Sequence, residues 1–195
     1  MLSEPIRVSL LVIHALNELG VPYFVGGSLA STLYGHVRTT VDSDIIADMR
    51  EVHVERFVEI TSPLFYIDES SVRDAIAHRS SFNMIHLETM FKVDVFIPKA
   101  RAYDQHQFSR KIKQLASSDS SEIAYFASVE DTILTKLEWY RLGGETSERQ
   151  WRDVIGVIQL QENLDDTYLR KWAIELDVID LLERAFEESQ QTSNF

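Results

Sequence analysis

The chain has 195 residues, 45% hydrophobic and 26% charged, which suits one well-buried core with a helical extension. Its 19 basic against 31 acidic residues give a formal net charge of -12. That balance argues against sequence-independent binding to long DNA or RNA, which needs clustered Lys and Arg. With no cysteine, disulfides, thiolate metal sites and cysteine nucleophiles are excluded. No apolar run approaches the ~20 residues of a membrane span, so no membrane partner is expected. The first residues, Met1 to Arg7, lack the basic start and small-residue cleavage site of a signal peptide, and a cytoplasmic location is the expectation.

In chain order, Ile6, Leu10, Ile13, Leu16 and Leu19 recur at helical spacing, with Ser3 as a candidate cap and Gly20 as the stop. Val21 to Val25 reads as a short buried strand, with Pro22 near its start where a missing N–H is tolerated. Gly26-Gly27-Ser28 breaks it, and Leu29 to Tyr34 suits a short helix ending near Gly35. A second strand is expected over Asp42 to Met49, a helix over Val52 to Ile60, and a helical turn over Val72 to Ala77. Ser81 to Leu87 and Phe91 to Ile97 read as a hairpin. Arg101 to Gln114 fits no single pattern, and Glu122 to Phe126 reads as a last strand. From Ser128 the pattern is helical, opening on a capping-box-like Ser128 and Asp131 and pausing at Gly143-Gly144. Three more helices are expected near Ser147–Leu160, Asp165–Leu176 and Val178–Glu187, with a frayed tail from Ser189. Strands mixed with helices, then helices alone, predict an α/β or α+β core over 1–127 and a C-terminal helical bundle over 128–195 packed on it.

The candidate chemistry lies in carboxylates. On a strand, Asp42 and Asp44 point to one face, where two carboxylates repel unless a cation sits between them. Such oxygen ligands suit Mg²⁺ (or Mn²⁺), which shares its shell with substrate phosphates. Asp94 stands opposite the apolar side chains Val93, Val95 and Ile97 and needs a cation, hydrogen bonds or solvent. If its strand lies beside that of Asp42 and Asp44, the three carboxylates suit a two-metal site for in-line attack on phosphorus. The glycines of Gly26-Gly27-Ser28 let backbone N–H groups approach a phosphate, and Ser28 adds a hydroxyl donor.

Plainer readings exist for each. Asp42 and Asp44 also suit a turn or cap at a strand start, Asp94 an ion pair with Lys92 or an Arg, and Lys136 a solvated helix face. The six histidines show no ligand spacing, and Trp139, Trp151 and Trp172 sit at helical packing positions.

A strand, Gly26-Gly27-Ser28, a short helix, then Arg38-x-Thr40-x-Asp42-x-Asp44 on the next strand resembles the nucleotidyltransferase superfamily typified by DNA polymerase beta. Downstream, Val129-Glu130-Asp131-x-x-Leu134-x-Lys136-Leu137 and the segment Arg149 to Ile155 resemble helices of its small bacterial members, some grouped with abortive-infection toxins. The likeness spans about residues 20–160. It departs at Ser43, where the superfamily usually has a hydrophobic residue. The resemblance implies a mixed sheet flanked by helices, with Asp42 and Asp44 as metal ligands and Asp94 as the third carboxylate. Gly26, Gly27, Ser28, Arg38 and Thr40 would form the nucleotide site, and Lys136 would face the triphosphate. The reaction implied is transfer of a nucleoside monophosphate from an NTP to a hydroxyl of RNA, protein or a small molecule, releasing pyrophosphate. The alternative is a non-catalytic nucleotide-binding module or a toxin–antitoxin component with a cognate protein partner.

Overall fold

The computed structural model describes residues 3–34, 40, 42–116 and 121–192. The chain forms two compact units: Met1–Leu29 with Thr39–Ala127, and Ala30–Arg38 with Ser128–Phe195.

The first unit is built on one mixed sheet. Its elements are α1 (Glu4–Glu18), β1 (Tyr23–Val25), the start of α2 (Gly27–Leu33), β2 (Asp42–Ala47), α3 (Val54–Thr61), β3 (Phe65–Tyr66), α4 (Glu69–His78), β4 (Ser81–His86), β5 (Lys92–Phe96), α5 (Ala102–Arg110), β6 (Ile112–Leu115) and β7 (Ile123–Phe126). Seven strands run in the order β3-β4-β5-β2-β1-β7-β6 among the described residues. β2 pairs antiparallel with β1 and parallel with β5, so it lies inside the sheet with ladder bonds on both sides.

Alternation along β2 and β5 divides the sheet into two chemically different faces. Ser43, Ile45, Ala47, Val93 and Val95 are buried, while Asp42, Asp44, Lys92 and Asp94 on the other face are half-buried. The apolar face packs against Val8, Val12 and Leu16 of α1, Phe57 of α3 and Val72 and Ala75 of α4. On the opposite face Phe108 of α5 meets Phe24 edge-on at 5.0 Å. Burial of such aliphatic and aromatic side chains contributes about 1.5–3 kcal/mol each.

Ser43 falls on the apolar face and is 1% exposed. The buried Ser9 of α1 meets it, with Oγ to Oγ at 2.8 Å, and also lies 2.7 Å from the Pro5 carbonyl. The departure at Ser43 is therefore matched by a second serine 34 residues away, so that neither serine hydroxyl is desolvated without a partner.

Several local expectations change. The ambiguous stretch after Arg101 divides into α5 and β6, with Lys111 extended between them. The helical turn at Val72 is a full α4, because Asp68 caps it by accepting from the Ser71 N–H at 2.9 Å. Ser3 precedes α1 without a side-chain capping bond. The two-residue β3 was too short to show a period.

The second unit is a helical bundle of α6 (Val129–Leu142), α7 (Glu148–Gln159), α8 (Asp166–Glu175) and α9 (Ile179–Thr192), with the second half of α2. Ser128 caps α6 by accepting from Asp131 N–H at 3.1 Å, and its hydroxyl reaches Asp131 Oδ2 at 2.9 Å. The Tyr168 hydroxyl donates to Asp131 Oδ1 at 2.7 Å, so this fully buried carboxylate ties α6 to α8. Trp151 stacks near Tyr140 and donates its indole N–H to Glu188 at 2.7 Å, joining α7 to α9. The helix runs past Ser189, whose carbonyl accepts from Gln159 Nε2, where the sequence predicts a frayed tail from Ser189. No helix among the described residues is long and apolar enough to cross a membrane.

The serine pair generates a direct test. Ser9→Ala and Ser43→Ala should each lower stability by about 1 kcal/mol, and the double variant by clearly less than their sum. Urea unfolding of the four proteins checks this.

Candidate active site

The site begins with the register of β2 and β5. Asp44 stands directly beside Asp94, and Asp42 directly beside Lys92. Neighbouring strands lie about 4.8 Å apart, so paired side chains on one face reach the same small volume. On the far side of β5, Asn83 of β4 is opposite Asp94. One row across the sheet thus carries Asn83, Asp94 and Asp44, and it ends at Gly26, whose N–H donates to the Asp44 carbonyl at 2.9 Å.

Gly27 is required by this crowding. A Cβ on Gly27 would lie 1.6 Å from Asp44 Oδ2 and 2.6 Å from its Cγ, and its φ is +55°. The Asp44 carboxylate therefore occupies the space that a side chain at position 27 would fill. A Cβ on Gly26 would meet Ile46 Cδ1 at 2.9 Å. Ser28 follows in α2 and is buried. Thr40 donates to the Asp42 carbonyl at 2.8 Å and lies 3.4 Å from Asp42 Oδ1, which steadies the entry to β2. Arg38 lies outside the described residues.

Lys92 supplies the positive charge on this face. Its Nζ lies 2.6 Å from Asp94 Oδ2, with side-chain exposures of 44% and 19%. The hydrogen bond to Asp94 holds the ammonium above its ordinary pKa against the opposing effect of partial burial, and the charges of Asp94, Asp42 and Asp44 add to it. The ion pair weighed for Asp94 from sequence is present. With Asp94 turned to Lys92, no three carboxylate or imidazole side chains among the described residues converge on one cation position.

Whether these residues fit a divalent ion turns on two observations. Three carboxylates share one face at adjacent register positions, and the Asp44 carboxylate packs directly against Gly27, where a Cβ would stand. Oxygen donors alone suit Mg²⁺ or Mn²⁺. The donor chemistry fits, with Asp94 paired to Lys92 in this arrangement.

Lys136 has another partner. Its Nζ lies 3.1 Å from Asp153 Oδ2, joining α6 to α7, with exposures of 11% and 4%. It is neither the solvated residue of the plain reading nor without a counter-ion. In the same unit Glu130 accepts from the Asp165 N–H at 3.2 Å. The Glu130, Asp131 and Lys136 pattern thus organises the bundle internally. Burial, with the nearby charges of Glu130 and Asp131, raises the Tyr34 phenol well above its usual range.

Sequence reasoning named Lys92 only as a partner for Asp94 and missed Asn83. Both follow from counting alternate residues along a hairpin, once its register is known.

No family model matches the chain, and no curated protein matches it. Solved structures do. The antibiotic-resistance factor ANT(2'')-Ia, in solution, superposes with a TM-score of 0.53 at 13% identity, covering 97% of this chain and 96% of that one. Its crystal structure in complex with adenylyl-2''-tobramycin gives 0.55 at 12% identity, covering 95% and 99%. An antigenic nucleotidyltransferase-like protein from Paracoccidioides brasiliensis gives 0.54 at 15% identity, covering 95% and 93%.

Two predictions follow from the geometry. Gly27→Ala should lower stability by more than about 2 kcal/mol, because it adds left-handed strain to a collision with Asp44. In an Asp44→Ala background the loss should fall toward about 1 kcal/mol, read by thermal unfolding. Lys136→Met should cost about 3 kcal/mol by removing the Lys136 counter-ion from the buried Asp153 carboxylate, whereas Lys136→Met with Asp153→Leu should be near neutral in urea unfolding. At these identities the likeness speaks for architecture: this chain has the nucleotidyltransferase fold, a mixed sheet flanked by helices with a C-terminal helical bundle.

Proposed function

We propose that this protein is a metal-dependent nucleotidyltransferase that moves a nucleoside monophosphate from an NTP to a hydroxyl acceptor. The observation that carries the reading is the pairing of Asp44 with Asp94 across β2 and β5, with Gly27 pressed against Asp44, in a chain of this fold. An acidic row that excludes a Cβ at its edge is hard to account for as a solvated surface.

In this reading Asp42 and Asp44 hold Mg²⁺ or Mn²⁺, and Asp94 completes the set. The divalent ion supplies neutralisation of the polyphosphate charge. Gly26, Gly27 and Ser28 receive the phosphates through backbone N–H groups and a hydroxyl, and the resemblance assigns Arg38 and Thr40 to the nucleotide as well. The acceptor oxygen attacks the α-phosphorus, the bond to the bridging oxygen of the β-phosphate breaks, and pyrophosphate leaves. Asp94 takes the acceptor's proton. The protein's contribution is placement and fixed charge, which reduce the barrier without covalent chemistry.

For the acceptor, the crystal structure of ANT(2'')-Ia contains adenylyl-2''-tobramycin. A net charge of -12 agrees better with a small acceptor than with long RNA. A non-catalytic nucleotide-binding module is the competing reading, and the Lys92–Asp94 ion pair, which occupies one of the three carboxylates, is the observation that bears on it.

Incubation with α-phosphate-labelled NTPs, Mn²⁺ or Mg²⁺, and panels of small hydroxyl compounds, RNA and protein should yield a labelled acceptor. Asp44→Asn should reduce labelling by at least about a hundredfold. Metal-dependent NTP binding without label on any acceptor would leave the binding module as the better description.

A further inference from the structure

Lys92 occupies a position that the reaction does not explain. It lies on the carboxylate face, two residues before Asp94 on β5, and it is the register partner of Asp42. Its ammonium contacts Asp94 at 2.6 Å rather than extending into solvent. Three carboxylates crowded on half-buried strands repel one another, and a tethered cation relieves this while no free cation is bound. Asp42, Asp44 and Asp94 form no common cation position among the described residues, and Asp94 is held by Lys92.

We infer that Lys92 is an internal counter-ion that competes with the divalent ion for Asp94, and that the anionic nucleotide releases it. This rests on the metal-dependent reading above. Three consequences follow from charge alone. Without nucleotide, a divalent ion binds weakly, because full ligation by Asp94 must break a 2.6 Å ion pair. When the triphosphate arrives, the displaced ammonium gains a new anionic partner, so metal and nucleotide bind with positive coupling. Lys92 is therefore a positioning residue for Asp94, and it makes assembly of the site conditional on substrate.

The experiment measures Mn²⁺ binding by electron paramagnetic resonance, with and without a non-hydrolysable ATP analogue. The proteins are the wild type, Lys92→Met, Lys92→Arg, Asp94→Asn and the Lys92→Met/Asp94→Asn double variant. Lys92→Met should bind Mn²⁺ alone roughly tenfold more tightly than the wild type and lose most of the nucleotide coupling. Its melting temperature without metal should fall and recover with Mn²⁺, whereas Lys92→Arg, which keeps the charge, should resemble the wild type. In the Asp94→Asn background the Lys92→Met effect should vanish.

Unchanged or weaker Mn²⁺ affinity in Lys92→Met, while the wild type binds Mn²⁺, would overturn the inference and leave the metal-dependent reading intact. A tenfold gain that persists in the Asp94→Asn background would overturn it too, since the competition would not be for Asp94. Absence of Mn²⁺ binding in every variant, with nucleotide present, would overturn both. Should Lys92→Met fail to fold, Lys92→Gln carries the same comparison.

Discussion

The register between β2 and β5 is the constraint on which the candidate site depends. Side chains on a strand alternate with a period of two, so a slip of β2 by one residue would turn Asp42 and Asp44 toward α1 and expose Ser43 and Ile45. That slip is opposed from both sides, by the apolar contacts of Ile45, Val93 and Val95 and by the cost of desolvating carboxylates. The forces that hold the core therefore also hold Asp44 against Asp94. β2 is further fixed by β1, whose continuation at Gly26 donates to the Asp44 carbonyl. An interior strand with partners on both edges is a rigid support for groups that must keep their relative positions.

Around that strand, polar groups are matched individually. Ser43 is inward-facing and would be a defect in an apolar layer, but Ser9 reaches it from α1. Asp94 is outward-facing beside two further carboxylates, and Lys92 reaches it from the same strand. The first match is dry and permanent, since both serines are buried. The second is partly open to water, and an ion pair of that kind is weak enough to be exchanged. This difference in burial separates a structural contact from one that a ligand can replace.

In the helical unit, charge is used for cohesion. Asp131 holds Ser128 and Tyr168, Glu130 accepts from the start of α8, Lys136 pairs with Asp153, and Trp151 donates to Glu188. Each of these joins two helices or caps one. A buried ion pair such as Lys136 with Asp153 adds little net stability but is costly to break, and it disfavours other helix registers.

The sequence by itself determined which residues face together on the site strands and where several elements begin and end. The periods of Asp42-Ser43-Asp44 and of Val93-Asp94-Val95 are local properties of extended backbone, and the stop at Gly26-Gly27 and the cap at Ser128 are local hydrogen-bonding choices. It also carried the class of fold, because strands followed by helices admit few layered solutions. Tertiary structure alone decided partners. The parallel pairing of β2 with β5 joins segments about 50 residues apart, the bond between Ser9 and Ser43 crosses 34, and the division of 102–115 into α5 and β6 depends on pairing with β7. Lys136 shows the limit most plainly: a lysine on a helix has the same local pattern whether it is solvated, faces a ligand or is paired, and only the approach of Asp153 from α7 distinguishes them. Long-range proximity comes from burying apolar surface shared by many residues, and no single local pattern encodes it.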